Sequence, residues 1–296
     1  MSKTAIVTGG SGKAGRACVK DLLAHGYEVL NVDRVAPEEK LCPFVLADLA
    51  DYGQAVGALS SPDLELRDVV GLVHLAAIPA PGIYTDDATF ANNTVSTYNV
   101  FQAARVLGLK DVVWASSESL LGLPFDRPPA YVPLDEGSPL LPGSSYSLSK
   151  LLGEEMARQF CRWDPSMKIV GLRFSNIMEP KDYARFASFE ADARLRKWNL
   201  WGYIDARDAA QAMRRSLEAP FRGAEVFVIA NAETVMGRSD QELLDEVFPG
   251  VPVRKTDLGR NETLLSIDKA RRMLGYQPEH SWREGQTTRD QQRADQ

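Results

Sequence analysis

Tyr146-Ser147-Leu148-Ser149-Lys150 sets a phenol and an ammonium four residues apart. That is one turn of a helix, so both side chains stand on the same face. A phenol with an ordinary pKa of about 10 is a poor base at neutral pH. A cation held nearby favours the phenolate and draws that pKa toward the working range. Such a pair can move a proton on and off a substrate oxygen. The same spacing also arises by chance as a surface pair on a helix, so its meaning depends on the elements that position it.

The first of those elements is Thr4 to Arg34. Ala5-Ile6-Val7 is apolar and β-branched enough for a buried parallel strand. Gly9-Gly10-Ser11-Gly12-Lys13-Ala14-Gly15 then turns the chain into an amphipathic stretch, Ala17 to His25, closed by Gly26. A second strand, Glu28 to Val32, ends on Asp33. Gly9 permits the sharp turn, Gly12 lets a pyrophosphate approach the backbone, and Gly15 lets helix and strand pack closely. The helix N-terminus, at Lys13 and Ala14, offers free N–H groups to the anion. Asp33, 18 residues beyond Gly15, is placed to accept hydrogen bonds from an adenosine ribose. Strand, turn, helix and acid together predict dinucleotide binding. A carboxylate there disfavours a 2′-phosphate and so predicts NAD over NADP, although Arg34 follows immediately. Lys150 can then reach a cofactor ribose hydroxyl as well as its tyrosine.

The βα alternation continues along the chain. Leu41 to Leu46 reads as a third strand ending in Ala47-Asp48-Leu49. Asp48 and Leu49 suit an adenine edge and face, and Asp48 equally suits a cap for the helix starting near Asp51. Val69 to Leu75 is a fourth strand. The small residues Ala76 and Ala77 leave room for a ligand at its carboxyl end, and Pro79 begins a stiff rim. A helix follows from Asp86 to Leu107, then a strand from Val112 to Ala115 leading into Ser116-Ser117-Glu118-Ser119. Leu121 to Gly143, rich in proline and glycine, reads as a surface loop or lid. Tyr146 to Phe160 is helical and Ile169 to Phe174 is a strand. The pattern predicts an α/β fold: a doubly wound parallel sheet of Rossmann type over residues 1–174. Residues 175–296 form a smaller substrate lobe interleaved with the end of that sheet, with a polar tail from about 283. That second part includes a helix opened near Asp205, a strand over Glu225 to Ile229, and helices over Ser239 to Val247 and Asp268 to Leu274. No internal repeat is visible.

Composition narrows the function classes. With 44% hydrophobic and 25% charged residues, 296 residues suit an ordinary globular core. The net charge of −6 gives no footprint for nucleic acid or an anionic membrane. No apolar run reaches a membrane span, and the N-terminus enters a strand at once. The three cysteines, Cys18, Cys42 and Cys161, are scattered without metal-ligand spacing and read as reduced thiols of a cytoplasmic protein. The three histidines are equally dispersed, so no metal site is expected.

On these motifs the chain resembles the extended short-chain dehydrogenase/reductases of the NAD-dependent epimerase/dehydratase kind, over nearly its whole length. Thr8 to Gly15 fits the family's TGxxGxxG. Asn93-Thr-Val-Ser-Thr-Tyr-Asn99 is similar to its NxxGTxN helix with Ser96 for glycine, and Ser116 to Gly122 to its SSxxVYG segment with Leu121 for tyrosine. Leu172-Arg173-Phe174-Ser175-Asn176 fits LRxxN, Tyr203-Ile204-Asp205 fits DYIHVxD, and Ser266 to Pro278 is similar to the closing DxxKAxxxLGWxP. The resemblance implies Tyr146 as general acid/base, Lys150 as its partner and ribose ligand, Ser117 on the reacting oxygen, and Asn93 in the site's polar relay. It implies cofactor contacts from Gly9, Gly12, Lys13, Ala14, Gly15, Asp33, Arg34, Asp48, Leu49, Leu75, Ala76, Ala77 and Lys150. Substrate contacts are expected from Pro79, Ser117, Glu118, Ser119, Asn176 and Arg185. A homodimer through the helices carrying Tyr98 and Tyr146 is also implied.

Three chemistries compete within the resemblance. Sugar 4,6-dehydratases carry Asp-Glu just after the active-site Ser or Thr, where this chain has Glu118 and Ser119; the missing second carboxylate argues against water loss. Nucleotide-sugar epimerases spend many tens of residues between the LRxxN and DYIHV strands, whereas here only Ile177 to Gly202 intervene. The cations of that interval, Lys181, Arg185, Arg194, Arg196 and Lys197, alternate with acids and read mostly as a solvated helix face, with one arginine able to meet a substrate carboxylate. The reading is an NAD-dependent dehydrogenase of a small sugar, sugar acid or related hydroxy compound, closest in layout to compact uronate dehydrogenases. The alternative is a UDP-sugar 4-epimerase. A non-catalytic NAD sensor is disfavoured, because such relatives typically lose the tyrosine or lysine retained here.

Overall fold

The structure is a computed structural model, and it describes residues 3–60, 69–256 and 258–284. The polar tail expected from about 283 lies almost wholly outside the described residues. A parallel sheet of seven strands runs through the molecule in the order β3-β2-β1-β4-β5-β6-β9. These strands are β1 (Lys3–Thr8), β2 (Tyr27–Asp33), β3 (Phe44–Leu46), β4 (Val69–His74), β5 (Asp111–Ser117), β6 (Lys168–Phe174) and β9 (Gly223–Ile229). A separate parallel pair, β7 (Ile177–Met178) with β8 (Ile204–Asp205), lies beyond β6. The central strands read as unbroken apolar runs because helices cover both faces. Ile6 and Val7 of β1, for example, are wholly buried but belong to opposite core clusters.

Helices α1 (Lys13–Ala24) and α5 (Ala206–Glu218) pack together on one face. On the other lie α2 (Tyr52–Ser60), α3 (Asp86–Leu107) and α4 (Ser145–Trp163). Two shorter helices, α6 (Asp240–Val247) and α7 (Asp268–Leu274), belong to the second half of the chain. Strand order reverses between β1 and β4, and there the carboxyl ends open a crevice. Helix α4 reaches the sheet closely through Gly153, where a Cβ would come within 2.5 Å of the Trp114 ring. That approach places Tyr146 and Lys150 over the end of β5.

Three sequence expectations change. The third strand begins at Phe44 and not Leu41, because Pro43 has no N–H to give the ladder; its carbonyl still accepts from the Asn31 amide. The Leu121–Gly143 segment is no free lid. Val132 accepts from the Arg254 amide and donates to the Pro252 carbonyl, while Leu134 does the same with Ser266 and Leu264. Tyr131, Val132 and Leu134 are buried as a result. The 180–199 segment keeps Lys181, Arg185 and Arg194 in solvent as expected, but as two 3₁₀ stretches, Pro180–Phe189 and Ala193–Asn199, with Arg196 buried. Phe186 from the first packs edge-on against Tyr203 and Trp282.

Candidate active site

A cavity of about 1160 Å³ follows the carboxyl ends of the strands. Its floor is the glycine turn. Adding a Cβ to Gly15 would bring it within 2.1 Å of the Gly9 carbonyl oxygen, so only glycine lets α1 start against the turn. Gly12 caps α1 without a side-chain hydrogen bond, which leaves the first-turn amides to an anion. Asp33 accepts from the Ser11 and Val35 amides at 3.1 and 3.2 Å, fixing its carboxylate at the end of β2. Gly9, Gly12, Lys13, Ala14, Gly15, Asp33, Arg34, Asp48, Leu49, Leu75, Ala76 and Ala77 all line this cavity. Asp48 also accepts from the Ala50 amide, while Asp51 accepts from Gln54 in the first turn of α2. These residues fit a dinucleotide: a side-chain-free turn, an uncapped helix start and a ribose-facing acid.

Sequence reasoning missed His74 beneath this floor. Its Nδ1 pairs with the Thr8 hydroxyl at 2.7 Å, and the same hydroxyl accepts from the Ala76 amide. The pairing fixes Leu75-Ala76-Ala77 against β1. Burial, helped by the Lys150 charge, pushes His74 down to about 3, so the imidazole stays neutral.

Tyr146, Lys150, Ser117, Glu118, Ser119, Asn176 and Pro79 share the cavity wall. The Lys150 ammonium donates to the Ala115 carbonyl at 2.8 Å and lies 5.5 Å from the Tyr146 ring centre. Ser144 and Ser147 close a reciprocal cap that sets where α4, and hence Tyr146, begins. Ser117 accepts from the Ser119 amide, and its hydroxyl is near enough to the Tyr146 phenol to favour the ionised form.

The electrostatics correct one expectation. The phenol is not drawn down: burial pushes Tyr146 up to about 12, and Glu118 adds to the rise against the Ser117 hydrogen bond. Burial in turn pushes Lys150 down to about 8. The phenol is therefore a proton donor at rest, and it must give up its own proton before it can accept one from a substrate hydroxyl.

Two expected residues stand elsewhere. Asn93 is buried, and its amide accepts from the Ile78 N–H and donates to the Ile78 carbonyl, so its side chain splints the loop after β4. Arg185 is exposed on the first 3₁₀ stretch and is not part of the wall. The buried arginine of this segment is Arg196, stacked 4.4 Å from the Trp198 ring and donating to the Gly202 carbonyl. Ser175 and Trp198, not singled out from sequence, also line the cavity. Trp198 could not be read from spacing, because the segment has no helical period. Lys13 joins Asp182 at 2.7 Å, tying the glycine turn to the second half of the chain.

Fold and site together define a dinucleotide-dependent enzyme of the Tyr-Lys type. The sequence profile described as the NAD dependent epimerase/dehydratase family matches residues 5–230. The chain belongs to that family, and its cofactor is NAD. UDP-glucose 4-epimerase of Mycolicibacterium smegmatis is 29% identical over 313 residues, covering 95% of each chain. UDP-glucose 4-epimerase GEPI48 of Cyamopsis tetragonoloba is 31% identical over 189 residues, 59% of this chain. The chain spans only about half of the length of that relative and similar plant ones, 52% for GEPI48. Among solved structures, a mutated uronate dehydrogenase superposes with a TM-score of 0.67 at 24% identity, covering 99% of this chain and 87% of that one. By name, these relatives are nucleotide-sugar epimerases and a uronate dehydrogenase. No helix among the described residues is long and apolar enough to cross a membrane.

Proposed function

We propose that the protein is an NAD-dependent dehydrogenase of a small sugar or related hydroxy compound. One observation carries this reading: the cations that line the cavity are Lys13, Arg34 and Lys150. All three belong to the dinucleotide half or to the Tyr-Lys pair, and Lys13 is already neutralised by Asp182. Past β6 the wall consists of Ser175, Asn176, Ile177 and Trp198. Among the described residues a nucleoside diphosphate substrate would find no lining cation for its pyrophosphate there, whereas a small polyol needs only hydroxyl partners. Residues 175–296 act as the substrate lobe.

NAD, when bound, supplies the acceptor for a hydride leaving the substrate carbon. The chain's own residues manage the oxygen. Ser117 holds the substrate hydroxyl, Lys150 offsets the charge of the Tyr146 phenolate, and that phenolate takes the hydroxyl proton and becomes the neutral phenol. Incubation with NAD and a panel of aldoses, hexuronates and short hydroxy acids should give NADH absorbance with at least one of them. Full-length likeness to the M. smegmatis enzyme favours a second reading, a UDP-sugar 4-epimerase. Absence of NADH on the panel together with interconversion of UDP-glucose and UDP-galactose would establish it instead.

The reading includes a homodimer. Val95 and Tyr98 on α3, with Leu148 and Leu152 on α4, are exposed apolar side chains on two helices packed side by side. A second copy docked there would make a four-helix interface. Sedimentation at micromolar concentration should give twice the chain mass of 32.6 kDa; a monomer would remove the dimer.

A further inference from the structure

Three tryptophans stand in the second half of the chain, and two of them are ordinary core residues. Trp201 and Trp282 are buried in one apolar cluster, and their indole N–H groups donate to the Ala193 and Thr234 carbonyls at 2.8 and 2.9 Å. Trp198 is different. It is half-buried, belongs to neither core cluster, and lines the cavity beyond β6. Its N–H has no hydrogen-bond partner among the described residues. The Arg196 guanidinium, held between the Phe189 ring at 5.7 Å and the Trp198 ring at 4.4 Å, lies over the indole and steadies it.

The backbone on both sides of the ring is braced as well. The Lys197 ammonium donates to the Phe125 carbonyl at 3.2 Å. The Asn199 amide donates to Glu118 at 3.2 Å and to the Gly202 carbonyl at 2.8 Å, the same carbonyl that accepts from Arg196. Glu118 directly follows Ser117, so the tryptophan is tied to the strand end that carries the serine. A wide aromatic surface held at a cavity wall gains free energy when apolar surface covers it. A sugar in its ring form carries such a surface: its C–H groups gather on the ring face while its hydroxyls project from the rim. The indole offers a matching apolar body, with an N–H at its edge for a rim hydroxyl. A short open-chain hydroxy acid has no comparable face. Resting on the dehydrogenase reading above, we propose that Trp198 is the platform on which the substrate stacks, so that the substrate class is a sugar in its ring form and not a short open-chain hydroxy acid.

Steady-state rates with NAD on galactose, glucose and their uronic acids, against lactate and glycerate, test this. The wild-type protein should favour the ring compounds by roughly tenfold or more in kcat/KM. Trp198→Leu keeps apolar bulk and removes the flat face. It should raise KM for the preferred sugar by about tenfold with kcat little changed, and Trp198→Phe should recover most of that loss. A wild-type preference for lactate or glycerate would overturn the platform while leaving the dehydrogenase reading standing. So would an unchanged KM in a folded Trp198→Leu protein, or a loss in kcat alone that Trp198→Phe does not repair, which is what a merely bracing residue would give. If Trp198→Leu does not fold, the wild-type preference alone decides. No NADH from any of these compounds, with UDP-sugars interconverted, would remove the dehydrogenase reading and the platform together.

Discussion

Tyr146→Phe should still bind NAD and lose on the order of 10³-fold in kcat, the usual worth of a positioned acid/base. The ring keeps its place: α4 is fixed by the Ser144–Ser147 cap, and Lys150 lies at 5.5 Å. Only the oxygen that meets Ser117 is removed. Titration of NADH fluorescence and steady-state rates check the two halves of the claim separately. A loss below tenfold would mean another group carries the proton, and loss of NAD binding would mean the phenol oxygen serves the cofactor and not the substrate. The pH profile follows from the same geometry. Because burial holds the phenol up near 12, the base form is scarce at neutral pH and grows as pH rises. Oxidation should therefore accelerate with pH, and bend over near 8, where Lys150 gives up its charge and its support of the phenolate. Reduction needs the protonated phenol and should stay flat up to that bend.

What could be read from the sequence was what depends on local backbone chemistry. The glycine turn, the acid ending β2 and the Tyr-Lys face are set by sterics and helical period within a few residues, and the structure brings them to one cavity. Helix α3 ends at Gly108, in the left-handed region at φ 75°, as a glycine stop predicts. What failed depends on distant partners. The partner of Asn93 is Ile78, brought in by the path of the chain after β4 and invisible in any local pattern. Arg185 and Arg196 are indistinguishable as letters in a mixed-charge run. Packing of Phe189 and Trp198 around one guanidinium buries Arg196 and leaves the other arginine in solvent. The phenol's upward shift is likewise tertiary, since it comes from burial and from Glu118 on another element.

The largest stability effect is expected away from the reacting atoms, at Arg173 and Glu154. Arg173 on β6 donates from Nε and Nη2 to the two oxygens of Glu154 on α4, both at 2.8 Å, and Ser116 of β5 adds a third bond at 2.7 Å. The ion pair is all but sealed from solvent, with side chains 2% and 0% exposed. Arg173→Met should leave a carboxylate buried without its cation, destabilising the fold by about 3–5 kcal/mol. Glu154→Gln should cost less, since the amide oxygen still accepts from Arg173 and Ser116. Replacing both residues by methionine should recover much of the loss, because desolvating two charges offsets most of what their pairing returns. Urea midpoints of the two single variants and the double variant separate these cases; equal losses from Arg173→Met and the double change would show that no stranded charge is involved. The pair also has a functional side. It clamps α4 to β6, and the Ser116 bond ties the same carboxylate to the strand that ends in Ser117, so a folded Glu154→Gln protein should show a lower kcat with NAD binding intact, as the phenol and the serine hydroxyl lose their fixed separation.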